Sequence, residues 1–208
     1  MQTSESGSHV ALDRMLFFSD GVFAIAITLL VIEIKLPPLP RGSGERDLAV
    51  ALLSLIPLDV GFIVSFFLVG QTWIEHHRIS SLLTGFDLGL LWWNLLLLFF
   101  VAFMPFATAV LSEHIASRVA VTLYALAFSG LGFAKVGFWR RAVRCGLVSS
   151  TEAEVGPISR RVWATPLTAV AVAGVSAFGV PFAFIGFMLI PLVARLLQGR
   201  TMRLRRTG

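Results

Sequence analysis

The chain has 208 residues, of which 56% are hydrophobic and only 14% charged, with a net charge of +5. So many apolar side chains exceed what the interior of a soluble domain of this length holds, which excludes a water-soluble globular protein and points to an all-α integral membrane protein. With about 20 apolar residues needed per crossing, the length accommodates roughly six helices and no separate soluble domain.

Residues 1–13 are polar and are expected to form a cytoplasmic N-terminus. They lack the basic start and small-residue cleavage site of a signal peptide, so the segment is expected to remain in place. The transmembrane domain is expected over residues 14–198. Its first span runs over about 14–35 and closes at Lys35 and the helix-ending Pro37, Pro38 and Pro40. The second covers about 48–74, interrupted by Pro57, and ends among Trp73, Glu75, His76, His77 and Arg78. The third covers about 86–111 with Pro105 inside it, and the fourth about 117–138. A polar loop rich in Arg, Ser and Glu precedes a fifth span over about 162–177. Gly179 and Pro181 then turn the chain into a sixth over about 182–198. Residues 199–208 form a basic cytoplasmic tail.

Orientation follows from the basic residues, because loops rich in Lys and Arg stay cytoplasmic. With the N-terminus inside, the inner segments hold Arg14, Arg78, Lys135, Arg140, Arg141, Arg144, Arg160, Arg161, Arg195, Arg200, Arg203, Arg205 and Arg206, thirteen of the 17 basic residues. The outer side holds Lys35, Arg41, Arg46 and Arg118. This bias favours N-in and C-in. The tail from Arg200 to Arg206 suits anionic lipid headgroups, and is too short to offer nucleic acid more than a few phosphate contacts.

The first span carries the most chemistry. At roughly 100° per residue, Phe18, Val22, Ile25, Leu29 and Ile32 fall on one narrow stripe, with Gly21 and Thr28 at its edge, while Asp20 points the other way. An ionisable residue in such a helix is costly and suggests an anchor against neighbouring helices. Ser19, Asp20, His76, His77 and Asn94 share one membrane level, where inter-helix hydrogen bonds contribute about 1 kcal/mol each. Adjacent histidines diverge by roughly 100°, which argues against a metal site. The same divergence of Ser19 and Asp20 argues against a hydrolase triad. The single Cys145 rules out an intramolecular disulfide. Nothing calls for a cofactor.

The run Arg14-x-x-x-Phe18-Ser19-Asp20-Gly21-Val22-Phe23-Ala24-Ile25-Ala26-Ile27-Thr28 resembles the signature of the transmembrane protein 175 family, the endolysosomal potassium channels and their prokaryotic relatives. Trp73-x-x-His76-His77-Arg78, Leu91-Trp92-Trp93-Asn94-Leu95-Leu96-Leu97-Leu98 and Phe103-Met104-Pro105-Phe106 resemble it too. The resemblance covers the first half of the chain, and hydrophobic pattern alone matches the second. It implies a cation channel without a Thr-Val-Gly-Tyr-Gly filter, a homotetramer whose first helices line the pore, and potassium as the permeant ion. It further implies Ile25 as an apolar constriction with Leu29 and Ile32 on the same stripe and Thr28 nearby. Arg14, Phe18, Ser19, Asp20, Trp73, His77 and Asn94 become a signature and packing network rather than ion ligands. A single six-helix unit resembles the prokaryotic members, which implies a prokaryotic plasma membrane. The competing reading is a small secondary transporter or proton-coupled carrier titrating Asp59 or Asp20.

Overall fold

The computed structural model describes residues 2–149, 152–163, 165–167 and 170. Its order is α1 (Gln2–Ile32), α2 (Glu45–Ser54), α3 (Ile56–Ser80), α4 (Leu88–Glu113), α5 (Arg118–Arg144) and α6 (Glu152–Val162). Four of these contain stretches long and apolar enough to cross a bilayer: Val10–Ile32, Ile56–Ser80, Leu88–Glu113 and Arg118–Arg144. The expected fifth and sixth spans fall, apart from residues 162, 163, 165–167 and 170, outside the described residues.

Three local outcomes differ from the sequence reading. Helix α1 starts at Gln2 and so takes in the residues expected to be a polar N-terminal stretch. The second apolar segment divides two residues before its proline. α2 stops at Ser54, Leu55 caps it, and Pro57 sits in the first turn of α3, where its missing N–H leaves no helical bond unmade. The segment expected to be a polar loop contains α6. Val155, Ile158 and Val162, spaced three and four apart, lay one apolar face on the bundle, and Trp139 Nε1 donates to Ser159 Oγ at 2.8 Å.

The helices approach closely where glycine allows it. A Cβ at Gly137 of α5 would lie 2.3 Å from the Trp93 ring of α4, and one at Gly130 would lie 2.3 Å from Phe100. Helix α4 begins on a capping side chain, with Leu90 N–H donating to Asp87 Oδ1 at 2.7 Å. Asp87 also accepts from Arg141 Nε of α5 at 2.9 Å, which holds its carboxyl below the ordinary carboxylate range. Beside it the α3–α4 connection pairs with the segment after α5, with Thr84 N–H donating to Leu147 O at 2.9 Å and Ser149 N–H to Leu82 O at 3.0 Å.

Two apolar cores result. One, in mid-bundle, includes Phe23 and Ala26 of α1, Leu68 and Val69 of α3, Leu97 and Val101 of α4, and Tyr124, Phe128, Leu131 and Ala134 of α5. The other, at the arginine-rich end, includes Leu12 and Met15, Ile79, Leu90, and Val136, Phe138 and Trp139, with Val162 of α6. Between them every spanning helix contributes a buried polar residue: Ser19, Glu75 and His76, Asn94, and Lys135.

Candidate functional site

Helix α1 has two unlike faces. Leu12, Met15, Ser19, Phe23, Ala26 and Leu30, at three- and four-residue steps, are buried against α3 and α4. Phe18, Gly21, Ile25, Thr28, Leu29 and Ile32 lie on the uncovered side, with Ile25 60% exposed. Val22 sits at the boundary, half-buried against the mid-bundle core. The Thr28 hydroxyl donates to its own helix, at Ile25 O, 2.8 Å away. In the single subunit this face therefore presents branched aliphatic side chains and no cluster of oxygen ligands.

The buried face carries the polar anchor. Ser19 Oγ donates to Met15 O at 2.8 Å and accepts from Asn94 Nδ2 at 2.9 Å. Asn94 Oδ1 lies 3.0 Å from His76 Nε2, and the His76 ring is flanked by Phe23 and Phe138. Asp20 takes the neighbouring direction, one residue on and roughly 100° around the helix: its Oδ1 accepts from Trp73 Nε1 at 2.8 Å, and Trp73 stacks on His77. Ser19 thus ties α1 to α4, and Asp20 ties it to α3.

Of the residues singled out from sequence, Ser19, Asp20, Trp73 and Asn94 are joined in these two bonded sets. It is His76, not its neighbour His77, that reaches Asn94. His77 touches the network only through the Trp73 ring. Arg14 is exposed, without a hydrogen bond or ion pair among the described residues, and Phe18 lies on the uncovered face. Asp59 occupies the first turn of α3, where a carboxylate complements the helix dipole, and has no carboxylate or histidine partner among the described residues.

Sequence reasoning missed one feature, the buried pair of Glu75 and Lys135. Lys135 Nζ donates to Glu75 Oε2 and, at 2.9 Å, to Thr165 Oγ1, with the lysine fully buried in α5. Lys135, counted from sequence with the basic residues of the inner segments, is thus a buried member of α5 paired within the bundle. Thirteen less Lys135 leaves twelve against four, and the charge bias keeps its direction. The available signal was a lone lysine in an apolar run and a lone glutamate at the same membrane level.

Comparison with known proteins gives a consistent set of relatives. Residues 14–105 match the family described as endosomal/lysosomal potassium channel TMEM175. A potassium channel of Chamaesiphon minutus is 41% identical over 144 residues, 68% of this chain and 70% of that protein. A potassium channel of Streptomyces collinus is 39% identical over 137 residues, 64% of this chain and 65% of that one. The crystal structure of a lysosomal potassium-selective channel TMEM175 homolog from Chamaesiphon minutus superposes with a TM-score of 0.76 at 33% identity, covering 92% of this chain and 98% of that one.

Proposed function

This chain belongs to the endosomal/lysosomal potassium channel TMEM175 family, and on that footing we propose that it is a potassium-preferring cation channel, a homotetramer with α1 of each subunit lining a central pore. The family and these relatives are ion channels rather than enzymes, and the chain is a multi-pass membrane protein. Within the proposal, each subunit contributes six spans with both termini cytoplasmic, in a prokaryotic cell membrane, and the basic tail meets anionic headgroups.

One observation carries this reading. Helix α1 buries one face on its own bundle and leaves Ile25, Thr28, Leu29 and Ile32 uncovered in the subunit. Around a fourfold axis that face becomes the wall of a conduit. Ile25 to Ile32 spans about 10 Å along the helix. Rings of branched side chains at Ile25, Leu29 and Ile32 supply no oxygen ligands, so a permeating ion sheds part of its hydration without replacement. Potassium gives up its water more readily than sodium. The resulting preference is modest, and the same dry rings close the path by dewetting. Ser19, Asp20, Trp73 and Asn94 set the position of α1, with His77 stacked on Trp73, and neither these nor Arg14 and Phe18 coordinate the ion in this reading.

The test is the reversal potential of purified protein in planar bilayers with potassium on one side and sodium on the other. Wild type is expected to favour potassium, Ile25→Asn to shift toward non-selectivity, and a matching substitution at Leu95 of α4 to leave the potential unchanged. An unaltered potential and conductance in Ile25→Asn overturns the constriction.

A further inference from the structure

A second, charged site lies at the arginine-rich end of the bundle, away from the face of α1. Between the last turn of α3 and α6, Arg78, Ile79, Ile158, Arg161 and Val162 line a cleft that also reaches Glu75. The carboxylate is already engaged, because Lys135 donates to its Oε2. Arg161 stands 3.8 Å from Oε1, beyond hydrogen-bond distance, and its Nε is buried without an acceptor among the described residues. One negative charge at Glu75 thus faces three positive ones at Lys135, Arg161 and Arg78, an excess of two. Burial draws the Arg161 guanidinium below its ordinary value, Glu75 opposes this, and Arg78 adds repulsion.

Among the described residues no other carboxylate pairs with these cations. Residues 171–208 contain no Asp or Glu. Glu152 and Glu154 precede Arg161 on α6 by about 14 and 10 Å of helical rise. The donor left without a partner and the net positive charge among the described residues suit an anion.

We propose that this cleft binds the phosphate of an anionic phospholipid headgroup, held by Arg161 and Arg78, with the glycerol and first methylenes against Ile79, Ile158 and Val162. The apolar lining decides between a lipid and a free phosphate, since three branched side chains offer nothing to a small hydrated anion. The position agrees: the exposed indoles of Trp73 and Trp92 lie at the same end of α3 and α4, where aromatic side chains meet headgroups. The site is built from residues other than the tail's Arg200 to Arg206.

The test is thermal unfolding of the full-length protein in neutral micelles, doped with phosphatidylglycerol or with phosphatidylcholine, or given inorganic phosphate without lipid. Phosphatidylglycerol is expected to raise the midpoint by about 5 °C over phosphatidylcholine. Arg161→Gln is expected to lose more than half of that rise. Ile158→Trp, which fills the cleft and keeps every charge, should lose it as well and decides the matter if Arg161→Gln does not fold. The tail variant Arg203→Gln/Arg205→Gln/Arg206→Gln should retain it. An undiminished rise in Ile158→Trp, or its loss in the tail variant alone, overturns the site. An equal rise from millimolar inorganic phosphate overturns the lipid assignment in favour of a soluble anion.

Discussion

Asn94 donates its side-chain N–H to the Ser19 hydroxyl at 2.9 Å, joining residues 75 positions apart in the chain. Because Asn94 uses its other end on His76 and Ser19 uses its proton on Met15 O, the three buried side chains form one linked set. Removing one member leaves the others short of a partner, which costs more than the bond itself. Asn94→Leu is therefore expected to destabilise the protein by about 1–3 kcal/mol. Ser19→Ala should cost less, and the double variant less than the sum of the two. Thermal unfolding in detergent of the three variants checks this, and strict additivity would refute the linked set.

The Glu75–Lys135 pair gives a sharper version of the same asymmetry. Lys135→Met leaves a buried carboxylate without its hydrogen-bonded cation, Arg161 standing 3.8 Å away, and is expected to cost about 3–5 kcal/mol. Glu75→Gln/Lys135→Met removes both charges together and should recover most of that loss. Melting temperatures of the single and double variants decide it. A double variant no more stable than Lys135→Met would show that the pair does more than neutralise itself.

Asp87 supplies a pH dependence. Its carboxyl is held below the usual 3.8 by the Arg141 hydrogen bond, so the folded protein binds that proton less readily than the unfolded chain. The associated stability is complete above the unfolded pKa and is lost as pH falls through the folded one, that is, below about pH 4. Asp87→Asn keeps a good N-cap for α4 and discards the charge. Its unfolding midpoint should lie slightly below wild type at neutral pH, as expected for an exposed ion pair, and fall less steeply on acidification until the two meet. Parallel acid limbs would exclude Asp87 as a contributor.

Gly21 lies on the uncovered face of α1, and no other side chain comes within 4 Å of where a Cβ would stand. Within one subunit a larger residue fits freely. If four such faces meet in the proposed tetramer, Gly21→Leu should reduce the tetramer fraction about tenfold while leaving subunit helicity intact. Light scattering coupled to size exclusion, beside circular dichroism, reads the two separately. A wild-type tetramer fraction in Gly21→Leu would place this position away from any subunit contact.

Some of this was legible from the chain alone and some was not, for physical reasons. An all-helical membrane protein follows from composition, and the runs beginning near residues 14, 86 and 117 announce themselves by length and apolar content. Proline chemistry located the break near Pro57, though not that α2 would stop at Ser54, because a proline in a first turn leaves its boundary open. The polar set around Ser19 was visible as residue types at one level. Helical geometry separates His76 and His77 by only one position, so the sequence could not say which one faces Asn94. Lys135 was misread because its neighbours Arg140, Arg141 and Arg144 resemble the fringe of a helix end. Its partner lies 60 residues away, and only packing reveals that a lysine points inward. The α6 segment is hidden by its charges, since three short-spaced apolar residues, Val155, Ile158 and Val162, suffice once a core exists to receive them.

The buried polar layer sandwiched between two apolar cores also limits how this bundle moves. To slide α1 along α4 by one turn, about 5.4 Å, Ser19 would have to leave Asn94 and enter hydrocarbon packing at Phe23 or Met15, while Lys135 and Glu75 kept the opposite helices in place. Each mismatch strands a polar group where no water can take it. The layer is thus a register lock across the four apolar helices, and in the proposed tetramer it would direct opening into displacements of whole subunits or rotamer changes on the uncovered face of α1.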